Sequence, residues 1–336
     1  MSEFDELIAS ARVGDDADAA VALARTWGAR LPTPGGPGTA TRFAVLRAVA
    51  AVDLTAARVL EAHADALAIL GEAGETADPG TAWGVYAAEG SGHRVTATTG
   101  ADGVTRLDGV KPWCSIADRL DRALVTAHVG DERGLFLVDL HHPGVRPEPP
   151  DGWAALGLRA VTSGPIHLQQ VPALPLGPPG WYLRRPGFAW GGIGVAACWL
   201  GGVDGLAASL HAASTAREGD LAALHVGTVD VARYAADRVL ADAVDRIASG
   251  RAAHTEGRIL AGRVRAVVAD TVERVVRQVG HALGPGPLAF DADHARRVAD
   301  LALYVRQHHA ERDLVALGRD VLASEALRDD GAQAPG

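Results

Sequence analysis

The chain has 336 residues, 48% of them hydrophobic and 22% charged, a globular composition long enough to bury a core without disulfide or metal staples. Its 32 Lys and Arg against 41 Asp and Glu leave a net charge of −9, which excludes a surface drawn as a whole to nucleic acid or to an anionic membrane. Two cysteines, Cys114 and Cys198, cannot build a disulfide framework or a Cys-rich zinc site.

Residues 1–81 read as an N-terminal helical region. Leu46, Val49, Leu54, Ala57, Val59, Leu60 and Leu67 keep one broad helical stripe, and the Pro/Gly cluster from Pro32 to Gly38 separates an earlier helix from this later one. Residues 82–182 change period. Short β-rich runs at Trp83–Tyr86, Arg94–Thr99, Thr105–Leu107, Ala123–Val129, Leu135–Leu140 and Ile166–Val171 are divided by turns such as Asp102-Gly103 and Gly130-Asp131. With no helical pattern between them, they predict an antiparallel barrel closed by a proline run ending at Pro179. Residues 183–328 are helical again. Val264, Val267, Val268, Val272, Val275, Val276 and Val279 share one face, with Arg263, Arg265, Arg274 and Arg277 off it, so a helical bundle is expected, with a last long helix from about 291 to 323. Residues 329–336 read as a flexible tail.

The opening Glu3, Asp5 and Glu6 carry the wrong charge for the start of a secretory signal. The uncharged stretch from Phe188 to Val203 falls short of the roughly 18 apolar residues a membrane-spanning helix needs. A soluble, cytoplasmic protein with no nucleic-acid partner is expected. Lysine occurs once, at Lys111, and asparagine not at all, a bias that GC-rich coding explains more simply than selection.

Several motifs favour plain structural roles. Gly192-Ile193-Gly194-Val195-Ala196-Ala197 fits a dinucleotide fingerprint, but helix rather than a βαβ unit follows it, so small residues for close helix packing are the better reading. His141-His142 and His308-His309 lack further ligands at zinc-like spacing, and no metal is expected. Cys114 reads as a buried small hydrophobe. The informative stretches are Gly90-Ser91-Gly92 and Leu107-Asp108-Gly109-Val110-Lys111-Pro112-Trp113-Cys114-Ser115. Glycines let a ligand approach the backbone, Ser91 can donate to a phosphate, Trp113 offers a face for a flat heteroaromatic ring, and Ser115 puts a hydroxyl beside it. Taken alone, they also describe a barrel corner with a tight turn.

The order of helices, β domain and helical bundle resembles the acyl-CoA dehydrogenase family of flavoproteins, and the Leu107–Ser115 stretch resembles that family's L-N-G-x-K-x-W-I-T segment. The resemblance implies that Trp113 lies against a flavin ring, that Ser115 bonds near flavin N5, and that Lys111 stands where the family also has lysine. Glu89-Gly90-Ser91-Gly92 is a degraded form of the family's T-E-P-x-A-G-S-D loop, so Ser91 would contact the FAD diphosphate. Gly157-Leu158-Arg159-Ala160 followed by Val171-Pro172 is similar to the segment that closes the β domain. Arg217-Glu218-Gly219 falls where a family arginine reaches the FAD of a neighbouring subunit, and Gln278–Gly286 is similar to a glycine-rich cofactor-binding turn.

The departures lie in the chemistry. Aligning Ala299-Asp300 with the family's R-D pair puts His308 where the catalytic glutamate of a Y-E-G-T element would fall, and the alternative position near Phe188–Trp190 has no acid. Imidazole can serve as a base near neutrality; His309, Glu311 and Asp313 lie close by. A histidine there also resembles the flavin-dependent monooxygenases of the same fold. The resemblance therefore implies an α+β, acyl-CoA dehydrogenase-like fold with a C-terminal four-helix bundle. It implies an FAD-dependent oxidoreductase acting on the CH–CH group of a small acyl thioester or similar substrate, as a homodimer or homotetramer. A monooxygenase or oxidase, or a catalytically silent flavin-binding scaffold, are the alternatives.

Overall fold

Capping side chains set where the first helices begin. After a short helix α1 (Asp5–Ser10), Asp16 accepts the Ala19 amide at 2.9 Å and starts α2 (Ala17–Trp27). Asp53 likewise accepts the Ala56 amide at 3.0 Å, so the apolar stripe predicted as one helix is two, α3 (Thr39–Val52) and α4 (Leu54–Ala73). The computed structural model describes residues 4–216 and 219–332. They form two compact units, one from residues 4–32 and 53–188, the other from 33–52, 189–216 and 219–332. Thus α3, N-terminal in sequence, is built into the second unit.

The first unit holds the barrel. Its strands are β1 (Trp83–Tyr86), β2 (Val95–Thr99), β3 (Thr105–Ser115), β4 (Arg122–Val129), β5 (Glu132–Asp139), β6 (Val145–Pro147) and β7 (Ser163–Leu176). The ring runs β4–β2–β3–β7–β5 and closes by β5 pairing β4. It is not purely antiparallel. β1 lies parallel to β4 from Trp83 opposite Arg122 to Tyr86 opposite Val125, and β2 meets β4 in parallel at Thr96 and His128. β4 can take both because β1 covers the first half of one edge and β2 its end. β7 runs through Pro172 and Pro175, pairing first with β3 and then with β5. Helix α4 covers this barrel, with Ala66, Ile69 and Leu70 packed on Trp83, Leu124, Leu135, Leu176 and Tyr182.

The second unit is helical: α6 (Pro186–Ala216, beginning just before it), α7 (Asp220–Ala248), α8 (His254–Leu283), α9 (Pro285–Phe290), α10 (Ala292–Tyr304) and α11 (Glu311–Ala332); the short α5 (Trp181–Arg184) belongs to the first unit. Of the predicted stripe, Val264, Val268, Val272, Val275 and Val279 of α8 are buried, while Val267 and Val276 are half-buried. The Gly192–Ala197 motif lies inside α6, and α3 makes its tight approach just beyond it, at Gly201. A Cβ on Gly194 would touch the Phe43 ring at 3.4 Å, and one on Gly201 would overlap the Arg47 carbonyl. Charges lock α3, α6 and α7 together: Arg47 holds Asp204 and Asp237, both at 2.5 Å, and Arg233 holds Asp204 at 2.6 Å. By length and composition α6 could cross a membrane, yet 83% of its most apolar stretch is buried inside the protein, the mark of a core helix.

Candidate functional site

Strand β3 was expected to end at Leu107; it continues to Ser115 through two irregularities, between Leu107 and Gly109 and between Lys111 and Cys114. The first requires glycine. Gly109 has φ 126°, and a Cβ there would overlap the Arg94 carbonyl oxygen. The second is a bulge that turns Trp113 outward. Trp113 has φ 59°, a left-handed conformation that costs a bulky residue about 1–3 kcal/mol, and its side chain is 59% exposed. Its neighbours Lys111 and Cys114 point inward and are buried. The Cys114 thiol meets the Lys111 carbonyl at 3.2 Å, and burial pushes its pKa far above the ordinary range, so it is no nucleophile.

Lys111 anchors the turn that carries Ser91. Its Nζ donates to Glu89 Oε1 at 3.0 Å and to Thr126 Oγ1 at 2.8 Å. Arg133 reaches the same carboxylate at 2.9 Å and His128 Nε2 at 3.4 Å. Burial acts to raise the Glu89 pKa, but the bonds and charge of Lys111 and Arg133 outweigh it and hold the carboxyl below its usual range. Burial in turn lowers the Lys111 ammonium, with Glu89 opposing. The turn closes by a bridge between Gly90 and His93, and a Cβ on Gly90 would come within 3.0 Å of Pro112 Cγ. The exposed Ser91 therefore sits on a turn resting against the residue next to Trp113.

Ser115 ends the bulged segment. Its Oγ is 2.8 Å from Ser163 Oγ and 3.4 Å from an Arg58 guanidinium nitrogen, while the Tyr86 hydroxyl donates to its carbonyl at 3.0 Å. Arg58 is held from the other side by Glu61 at 3.4 Å. Arg58, Tyr86, Ser115, Ile116 and Val161 line a cleft of about 20 Å³, room for one water. Ile116 (φ 45°) and Leu158 (φ 48°) are also left-handed. The Ile116 amide bonds the Thr162 carbonyl and the Val161 amide bonds that of Leu158, so backbone strain gathers around this rim.

The remaining candidates lie in the second unit. The long terminal helix expected over His308 is broken. α10 passes into a 3-10 turn at Val305–Gln307, His308 is extended (φ −89°, ψ 119°), and Ala310 has φ 44° before α11 begins. No Gly or Pro marks this break; side chains hold it. Arg265 of α8 donates to the Gln307 carbonyl at 2.7 Å, and the Asp313 carboxylate accepts the His309 amide at 3.0 Å. His308 is half-buried in this bend. Burial lowers its pKa; Asp313 opposes, while Arg265, His309 and Arg306 lower it further, so the imidazole is neutral at pH 7. Gln278 lies within α8, its amide 2.6 Å from His225 Nδ1 of α7. Arg217 lies outside the described residues. Local sequence pointed to none of Arg58, Glu89 or Arg265 as part of these arrangements, although Glu89 lies within the motif that carries Ser91.

The paired histidines find ordinary partners. His142 Nδ1 accepts the Gly144 amide at 3.0 Å, His141 faces Asp121 at 3.4 Å, and His309 faces Asp313 at 3.4 Å. Among the described residues no group of three or more His, Cys, Asp or Glu could hold a metal.

No protein-family model and no curated protein matches the chain. Solved structures do. Butyryl-CoA dehydrogenase from Megasphaera elsdenii is similar at TM-score 0.78 and 17% identity, over 96% of this chain and 99% of that one. The FMN-bound flavoprotein TdsC of Paenibacillus sp. A11-2, a dibenzothiophene monooxygenase, gives 0.79 at 18% identity over 95% and 96%. Nitrososynthase from Micromonospora carbonacea var. africana gives 0.72 at 17% identity over 96% and 95%. At this identity the likeness shows the fold: α+β, with a barrel followed by a helical bundle.

Proposed function

On the acyl-CoA dehydrogenase fold that this chain shares with those structures, we propose that the protein is a flavin-dependent oxidoreductase that binds FAD and acts on the CH–CH group of an acyl thioester or similar small molecule. Trp113 carries the reading: a bulky residue kept in a left-handed conformation with its ring turned to solvent has no packing reason for its strain, whereas a flat cofactor ring gives it one. The surrounding donors fit the same group. Ser115 keeps a hydroxyl at the edge of the bulge, and the Ser91 turn offers a hydroxyl and exposed backbone to a diphosphate. Ser91 and Arg217 would serve the phosphates, with Gln278 as a further contact. When bound, the flavin supplies a two-electron acceptor.

The protein's part is to hold the ring on Trp113, bond it through Ser115, and take a proton from substrate on His308. A neutral imidazole in a half-buried bend suits that task near pH 7. Because it is an imidazole and no carboxylate, a monooxygenase on the same scaffold is the second reading, and one structural neighbour is a dibenzothiophene monooxygenase. Leu221, Leu224, Val231 and Tyr234 of α7, each at least 60% exposed, support self-association as a homodimer or homotetramer, which sedimentation would measure. The test of the main reading is reconstitution with FAD, followed by anaerobic addition of acyl thioesters. Bleaching of the bound flavin supports it; no bleaching by any thioester, with rapid reoxidation by air once the flavin has been reduced with dithionite, favours the monooxygenase.

A further inference from the structure

Two side chains hold the bend that carries His308, Asp313 of α11 at the His309 amide and Arg265 of α8 at the Gln307 carbonyl. Arg265 donates from one guanidinium nitrogen to the Gly192 carbonyl of α6 at 3.0 Å and from the other to the Gln307 carbonyl at 2.7 Å. Its carbon lies 4.7 Å from the Trp199 ring centroid, and Trp199 meets Tyr304 edge-on at 6.3 Å. Gln307 ends the 3-10 turn after α10, where helical carbonyls lose their partners. A planar guanidinium stacked on a buried indole has little freedom to move, so it fixes both carbonyls at once.

We propose that Arg265 is a positioning residue for His308: it clamps the Gln307 carbonyl so that the chain must leave the helix there, and it keeps a permanent positive charge beside the imidazole. The inference rests on the reading of His308 as the base. The charged groups that act on that imidazole are Asp313 from α11, Arg306 from the 3-10 turn, His309, and Arg265 from α8. Arg306 is itself bonded to Glu273, and Asp313 to the His309 amide. The surplus of positive charge, together with burial, opposes protonation of His308, in keeping with its lowered pKa. Without Arg265, the unpaired carbonyls at the helix end would instead favour the imidazolium.

The test uses the full chain with no flavin or substrate. Histidine Cε1–H resonances are titrated by NMR in wild type, Arg265→Gln and Arg265→Lys, with His308→Gln assigning the peak. Amide exchange is followed at His308 and His309. Arg265→Gln should raise the His308 midpoint by about 0.5 pH unit or more. Arg265→Lys, which keeps the charge, should move it less than half as far. Both variants lose the two-pronged clamp and should speed exchange at the bend by about tenfold. An unmoved midpoint in Arg265→Gln, or equal shifts in the two variants, overturns the proposal. If Arg265→Gln does not fold, Arg265→Lys decides: unchanged exchange at His308 and His309 overturns the clamp. Failure of the base reading shows elsewhere, as full turnover in His308→Gln with these results intact.

Discussion

Acid should weaken the first unit at a single buried histidine. His63 on α4 is 3% exposed, accepts the Trp83 amide at Nδ1 (3.1 Å), and lies so close to Gly28 that a Cβ there would overlap its ring. It thus joins α4, the turn after α2, and β1. Protonation would put a second donor where an acceptor is needed. Burial leads the effects that lower its pKa from 6.5 to about 4, with Arg25 adding and Asp121 opposing. The unfolded chain therefore takes up a proton near pH 6.5, and the folded chain does so only near pH 4. Stability from this group is fully present above pH 6.5, falls across that window, and levels off below it. At about 1.4 kcal/mol per pH unit the loss comes to about 3 kcal/mol, a large part of a typical folding free energy. Urea denaturation at pH 7, 5.5 and 4 measures it against His63→Asn, whose amide oxygen can replace Nδ1 as acceptor without titrating. Wild type should lose about 3 kcal/mol more than the variant between pH 7 and 4. Parallel losses in the two proteins would refute the assignment.

Trp113→Gly should leave stability unchanged or raise it by up to about 1 kcal/mol, because strain is relieved at an exposed site, while Trp113→Ala and Trp113→Gly both lower flavin retention; denaturation and cofactor titration read the two effects separately. Glu89→Ala should cost about 3 kcal/mol by stranding the buried Lys111 ammonium, and Lys111→Met less, since Arg133 still pairs the carboxylate; urea midpoints rank them. Gly109→Ala should cost about 3 kcal/mol or more, combining an overlap with the Arg94 carbonyl and a φ of 126°, seen as loss of soluble folded protein or a lowered Tm. His308→Gln should cut turnover about 100-fold while leaving flavin absorbance intact; stopped-flow reduction measures this.

Period and turn chemistry made most of the architecture readable. β1 at Trp83–Tyr86 and the valine stripe of α8 follow directly from β-rich composition and from helical spacing. Asp53 before Leu54 was a legible helix start that the continuous stripe concealed. β3 was cut short because its path depends on Gly109 and Trp113, where the backbone leaves regular strand geometry and alternation loses meaning. β6, three residues long, carries too little pattern to stand out. The parallel pairing of β1 with β4 is a property of chain tracing that strand propensity does not encode. The motif around Leu107–Ser115 drew attention to Trp113 and Ser115, yet the strain on Trp113 and the role of Lys111 as a strut for Glu89 are visible only in three dimensions. The break at 305–310 is farther still from local sequence, since one of the side chains bonded to it, Arg265, belongs to another helix.

The most direct measurement is the visible absorption spectrum of the purified and FAD-reconstituted protein, with the released cofactor identified by chromatography, set beside Trp113→Ala. A bound-flavin visible absorption spectrum, releasing FAD and weakened in Trp113→Ala, is the predicted result. A colourless wild-type protein that takes up neither FAD nor FMN would contradict the flavin reading and leave the strained indole on β3 without the partner proposed for it.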